Sequence, residues 1–371
     1  MLLGDQGADV IKIESVAAAD HARGAGYGAH QFTATFLNNN RNKRGMTLNL
    51  KSDKGRDILF KLVATADVFI QNFRPGVVER LGVSETEVRR IRPDIIYASI
   101  SGFGESGPWS HKPVYDPIVQ AISGLTTIQA GSDEERPRLV RTILPDKLTG
   151  MTTAQAITAA LTHRERTGEG QHVRVSMLDS VVSFLWASDM GGQTFVGKEV
   201  SEQRAATFID LIYETQTGYI SVSAMSNKQW QALCPAVGHP EWLDDDRFST
   251  PALRDRNANL RLQMTQQALL EQTAEHWLTV LDEAGVPCSP VLKRKDMINH
   301  PVVKASELIV ELDHPVAGKI RQTRPAARFS GSQTEMQRGA PLYGEHNEEL
   351  LAEIGISDEE QQHLKEEGIV R

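Results

Sequence analysis

Asp146 stands between Pro145 and a long helical pattern in "ILPDKLTGMTTAQAITAALTHRERTGEGQ", residues 143–171. An aspartate at such a boundary has two compatible roles. Its carboxylate is among the best N-caps, because it accepts hydrogen bonds from the free N–H groups of the first helical turn. Kept ionised at the positive end of a helix, the same carboxylate can attack an activated acyl group or act as a base. Gly150, Ala154, Ala156, Ala159 and Ala160 keep the following helix slim enough for another backbone or a ligand to approach. "SGFGESGP" (Ser101 to Pro108) matches neither GxGxxG nor a GK[ST] loop, so its nucleotide signal is weak. A glycine-rich loop at the carboxyl end of a strand still marks where open α/β sheets bind ligands. "NNNRNKRGMTLNLK" (Asn38 to Lys51) gathers Arg41, Lys43, Arg44 and Lys51, which is either a phosphate-attracting patch or a solvated loop. His111, His163, His172 and His346 show no HExxH or comparable spacing, so metal binding is not expected. No G-x-S-x-G occurs, which removes the usual signature of Ser/His/Asp hydrolysis.

The elements that must hold these groups alternate between strand and helix. "MLLGDQGADVIKIE" predicts a short helical piece ending near Gly7 and a strand over Val10 to Ile13. Met46 to Leu50 alternates as a strand, Lys54 to Ala66 is an amphipathic helix, and Asp67 to Asn72 is a further strand. Ser84 and Glu87 form a capping-box signature, and the apolar run Asp94 to Gly104 reads as a buried strand. This rhythm predicts an α/β fold: a largely parallel, doubly wound sheet covered by helices on both faces. From Gly197 to Thr207 the texture turns polar and linker-like. A strand over Gly218 to Ala224 then opens a smaller α+β domain, with helices in "NKQWQALCPAVG", Asn257 to Gln272 and Thr273 to Gly285; Trp277, Leu278 and Leu281 share one face of the last. The expected organisation is a large domain from residues 1–205, a smaller domain over 206–310 and a return to the large domain over 311–371.

Composition limits the possible partners. The 371-residue chain is long enough for two domains, and its net charge of −8, with no basic stripe, makes nucleic acid an unexpected partner. Two cysteines, Cys234 and Cys288, cannot build a disulfide framework, which suggests a reducing compartment. No apolar stretch reaches the roughly 18 to 20 residues of a membrane span, so the expectation is a soluble, cytoplasmic protein.

Eight stretches in order resemble class III CoA-transferases, a family related to the α-methylacyl-CoA racemases: "LLGDQGADVIKIE", "NRNKRGMTLNLKSDKG", "ADVFIQNFRPGVVERLG", "RPDIIYASISGFGESGP", "YDPIVQAISG", "PDKLTG", "ALTHRERTGEGQHVRVSMLDS" and "APLYGEHNEELL". The resemblance implies that Asp146 is a nucleophile which exchanges CoA between an acyl-CoA donor and a carboxylic acid acceptor through an aspartyl-CoA thioester. It also implies CoA contacts at Leu48, Lys51, Asn72, Phe73 and Arg80, with the basic loop facing the phosphates. Tyr115 and Asp116 would lie near the nucleophile, with no permanently bound cofactor and no metal. Related racemases carry a histidine where Tyr115 stands, and a phenol of ordinary pKa is a poor second base at neutral pH, so transfer is expected over racemisation with Asp146 as base. The family also implies an interlocked homodimer, and a strand, a loop and half a helix ahead of "LLGDQGADVIKIE". A truncated, inactive acyl-CoA-binding chain is therefore a third reading. The family's glycine-rich active-site loop is not recognisable near Phe208 to Glu214, and "TFIDLIYETQTG" is expected to line the acyl pocket.

Overall fold

The apolar run predicted as a buried strand forms β6 (Ile96–Ser101), and its Ile96, Tyr97 and Ala98 are at most 1% exposed. That burial on both faces follows from its central place: β6 lies between β5 (Val68–Gln71) and β7 (His172–Ser176), and both pairings are parallel. The computed structural model describes residues 1–24, 28–29, 32–200, 211–332 and 336–371. The architecture is mixed α/β with parallel sheets. The expected domain boundary at residue 205 and the segment Phe208 to Asp210 lie outside the described residues.

The chain divides into two units, one comprising Met1–Ser123, Arg141–Phe184 and Pro301–Arg371, the other Gly124–Val140 and Leu185–His300. In the first, α1 (Leu2–Asp5) leads into β1 (Val10–Ser15). A two-residue antiparallel pair, β2 (Gly28–Ala29) and β3 (Phe32–Thr33), precedes α2 (Ala34–Asn40). β4 (Lys43–Leu48) then pairs in parallel with β1, Val10 opposite Lys43 and Ser15 opposite Leu48. The strand predicted over residues 46–50 thus begins three residues earlier and ends at Leu48, because its pairing partner β1 sets its extent.

Helix α3 (Asp53–Val63) turns Ile58, Leu59, Leu62 and Val63 to the core, the spacing that puts side chains on one helical face. Gly55 is required at its start, since a Cβ there would stand 2.1 Å from the Asn49 carbonyl oxygen. After β5 come α4 (Val77–Leu81) and α5 (Glu85–Ile91). The capping box forms as predicted, with the Ser84 N–H donating to the Glu87 carboxylate at 3.0 Å. The chain continues through β6, α6 (Asp116–Ile122), α7 (Leu125–Ala130, in the second unit) and α8 (Leu144–Thr167) to β7. Gly168, with φ of +77°, ends α8 in the left-handed conformation that glycine adopts without cost.

The last helices, Asn347–Glu353 and Asp358–Glu366, add Leu350, Leu351 and Leu364 to the core built by β4, α3 and β6. Asn347 fixes them there: its side-chain oxygen accepts from the Thr47 N–H at 2.9 Å, and its amide donates to the Thr47 hydroxyl at 2.9 Å and the Arg371 carbonyl at 2.6 Å.

The second unit has its own core around Trp230, Trp242, Phe248, Trp277 and Leu281. Gly218–Val222 pairs antiparallel with Ile212–Thr215 on one side and Cys288–Pro290 on the other. The predicted helices form as Asn227–Ala236, Ala258–Leu269 and Ala274–Glu283, and the buried Trp277 indole donates to the Leu269 carbonyl at 2.8 Å.

Candidate active site

Asp146 is the third residue of α8, and the N-cap position falls on Ile143, whose side chain caps nothing. The capping role considered for Asp146 is therefore overturned. Pro145, with its fixed φ and missing N–H, suits the first turn of a helix, so α8 starts ahead of the aspartate and carries it inside that turn. The carboxylate faces solvent in part, and no described residue hydrogen-bonds to it. Partial burial, reinforced by the negative charge of Asp116, pushes its pKa up from the ordinary carboxylate value of 3.8.

Asp116 opens α6, which packs against α8, and is 5% exposed. Its Oδ1 accepts from the Gln120 amide at 2.6 Å, and the same amide nitrogen donates to the Thr142 carbonyl at 3.3 Å, so Gln120 ties the first turn of α6 to the approach to α8. The other oxygen, Oδ2, is buried without a partner among the described residues. Tyr115 sits at the N-cap position of α6 and is 77% exposed. The packing of α6 on α8 thus brings Asp116 within electrostatic reach of Asp146, and Tyr115 adjoins Asp116 in the chain.

The residues expected to contact CoA follow the carboxyl ends of parallel strands, where ligands bind in open α/β sheets. Lys51 is exposed in the turn after β4, and Asn72 and Phe73 are exposed after β5. Arg80 is exposed on α4, one guanidinium nitrogen folded over the Gly76 turn. Leu48 is 1% exposed within the core, so only its main chain is available to a ligand. None of the five is hydrogen-bonded to Asp146, Asp116 or Tyr115.

Two cations of the basic loop, Arg41 and Arg44, are already paired with carboxylates of this chain. Arg41 makes a buried two-pronged ion pair with Asp5, at 2.9 and 2.7 Å. Arg44 is ringed by Asp9, Glu349 and Glu353. Lys43 donates to Asn40 at 2.9 Å, and burial pushes its pKa down to about 8. Among the described residues, the exposed Lys51, Arg74 and Arg80 make no ion pair. Sequence reasoning passed over Arg74 and Gln120; Arg74 lies inside the quoted "NFRPG", whereas nothing local distinguishes Gln120 from any other helical glutamine. Among the described residues no cluster of His, Cys, Asp and Glu is arranged to hold a metal ion, and no helix is long and apolar enough to cross a membrane.

The parallel α/β unit thus presents a solvent-reaching Asp146 on the first turn of α8 and a buried Asp116 on α6, which packs against α8. The model of CoA-transferase family III matches residues 1–347, and the chain belongs to that family, whose enzymes transfer CoA and use CoA thioesters as substrates. It is 32% identical to succinyl-CoA:glutarate CoA-transferase of Mus musculus, over 97% of this chain and 83% of that protein. It is 34% identical to acetyl-CoA:oxalate CoA-transferase of Acetobacter aceti, over 96% of this chain and 91% of that one. Among solved structures, a CAIB/BAIF family protein from Brucella suis superposes with a TM-score of 0.81 at 28% identity, covering 95% of this chain and 93% of that one.

Proposed function

We propose that this enzyme moves CoA from an acyl-CoA to a carboxylic acid through an aspartyl-CoA thioester on Asp146. The observation that carries the reading is a solvent-reaching Asp146 carboxylate, unpartnered in the first turn of α8 and next to the buried Asp116. In the first half-reaction an Asp146 oxygen attacks the thioester carbonyl and expels CoA thiolate, leaving a mixed anhydride. The thiolate attacks the Asp146 carbonyl carbon, releases the donor acid as carboxylate and leaves the aspartyl-CoA thioester. The acceptor carboxylate then displaces CoA thiolate to form a second anhydride, and the thiolate attacks the acceptor's acyl carbon, regenerating Asp146. Covalent catalysis divides a poor carboxylate-for-thiolate exchange into easier steps. No step has a net proton to move, so the chemistry does not ask Tyr115 to act as a base. Racemisation would require a proton acceptor on each face of the α-carbon.

Lys51, Asn72, Phe73 and Arg80, with the Leu48 main chain, are proposed to hold CoA. Relatives named for glutarate and oxalate make dicarboxylates the first acceptors to assay. A doubly wound large domain of residues 1–205 and 311–371, a smaller domain of 206–310, an interlocked homodimer and a cytoplasmic location complete the proposal.

The test is intact-protein mass spectrometry after mixing with succinyl-CoA, acetyl-CoA or formyl-CoA, with hydroxylamine to trap the activated carboxylate. A modification at Asp146 that is lost in Asp146→Ala supports the reading. A folded protein that forms no adduct, yet exchanges an α-proton of a 2-methylacyl-CoA with deuterated solvent, overturns it in favour of racemisation.

A further inference from the structure

The loop from Gly102 to Tyr115 joins β6 to α6 and carries Tyr115 and Asp116 at its far end. It closes on itself: Phe103 meets Trp109 edge to face at 5.2 Å, the Lys112 ammonium lies 3.5 Å from the Trp109 ring centre, and Val114 packs directly on Gly102. Two side chains tie the loop to the sheet: the Ser101 hydroxyl of β6 accepts from the Gly104 N–H at 3.1 Å, and Glu105 reaches out from the loop itself. One carboxylate oxygen accepts from the Ser99 hydroxyl on β6 at 2.5 Å, and the other from Arg174 on β7 at 2.8 Å.

His172 completes this anchor. Its Nε2 is 2.7 Å from the Ser99 oxygen. A hydroxyl has one hydrogen to give, and Ser99 gives it to the Glu105 carboxylate, so His172 must donate from Nε2 to the Ser99 lone pair. Its Nδ1 then carries the lone pair, buried and without a partner among the described residues. The ring is fixed edge-on against Tyr97, with centroids 5.0 Å apart. A proton on Nδ1 would be stranded, in keeping with burial and the nearby Arg174 charge lowering the His172 pKa. Neutral His172 thus orients Ser99, Ser99 orients Glu105, and Glu105 pins the loop.

We propose that Glu105 is a positioning residue for CoA transfer: its bonds to Ser99 and Arg174 fix the loop that presents Tyr115 and Asp116 to Asp146. The proposal rests on the reading of Asp146 as nucleophile. A misplacement of about 1 Å far from the chemistry can cost about 100-fold in rate.

The test is single-turnover labelling of Asp146 by succinyl-CoA, acetyl-CoA and formyl-CoA, whichever modifies the wild type, with Asp146→Ala as control. Glu105→Ala is expected to slow labelling about 10- to 100-fold at saturation, with the half-saturating acyl-CoA concentration unchanged. Glu105→Gln, whose amide oxygen still accepts from Ser99, is expected to recover most of the rate. If Glu105→Ala melts before it can be assayed, Ser99→Ala takes its place and must slow labelling in the same way. Wild-type rates in both Glu105→Ala and Ser99→Ala would refute the positioning role while leaving Asp146 in place, as would a loss confined to acyl-CoA affinity or an equal loss in the Gln variant. No label on the wild type, or label surviving in Asp146→Ala, would overturn the nucleophile itself and the positioning role with it.

Discussion

The Arg41–Asp5 pair decides whether the basic loop serves the fold or the ligand. Both side chains are 3% exposed and are joined by two hydrogen bonds, with Asn42 donating a third to the same carboxylate at 3.0 Å. Removing one partner of such a pair leaves an uncompensated buried charge and costs about 3–5 kcal/mol, whereas replacing both by apolar groups of similar volume is close to neutral. Asp5→Leu and Arg41→Met are each expected to lower Tm by roughly 6–20 °C, at about 2–4 °C per kcal/mol for a unit of this size. The double variant should return most of that loss. The resulting coupling of at least about 3 kcal/mol is well above the roughly 0.5 kcal/mol within which independent sites add. Thermal unfolding of the four proteins measures it, alongside the half-saturating acyl-CoA concentration of each at a temperature where all are folded. That concentration should stay constant, because the Arg41 guanidinium is already occupied by Asp5. An Arg41→Met protein with unchanged Tm and an approximately tenfold weaker affinity for acyl-CoA would refute the argument and return the loop to phosphate binding.

Four further outcomes follow from the geometry. Labelling of Asp146 should fall as pH drops through its raised pKa, and Asp116→Asn should move that midpoint down by removing the like charge, as read from single-turnover rates against pH. The folded chain holds this proton more tightly than the unfolded chain, so the group's contribution to stability is full below the unfolded pKa and is lost as pH rises through the folded one. Asp146→Asn should accordingly raise Tm at neutral pH, with the gain vanishing in acid. Gly102→Ala would place a Cβ 2.2 Å from Val114 Cγ1, an overlap expected to cost about 1–3 kcal/mol and to be relieved only in part by a second change, Val114→Ala, whose own Cβ still stands 2.9 Å away, both measured by thermal melting. Asn347→Leu keeps the branched shape of the side chain but strands the Thr47 N–H and the Arg371 carbonyl, at about 1–3 kcal/mol for each stranded group, read from urea unfolding.

The features legible in the sequence are those whose partners lie close along the chain. The Ser84–Glu87 capping box spans three residues, α3 shows its buried face through helical spacing, and β6 shows its central position by being apolar on both faces. Family membership was equally open to reading, because eight ordered stretches carry it whatever their tertiary neighbours. Asp146 stood out as a lone carboxylate at a helix start, although its place inside the first turn, rather than at the cap, depended on where Pro145 let α8 begin. What the chain could not announce is which distant group each charge meets. Arg41 finds Asp5 36 positions away, Ser99 finds His172 73 away, and Thr47 finds Asn347 300 away. A cluster of arginines looks the same in sequence whether it awaits a phosphate or is already neutralised in the core. Only folding brings the carboxylates to three sides of Arg44, sets Asp116 within electrostatic reach of Asp146, and leaves Lys51, Arg74 and Arg80 without an ion pair among the described residues. Periodicity and capping are local interactions written in neighbouring residues, whereas charge partnership and burial are set by contacts that exist only once the sheets and helices have packed.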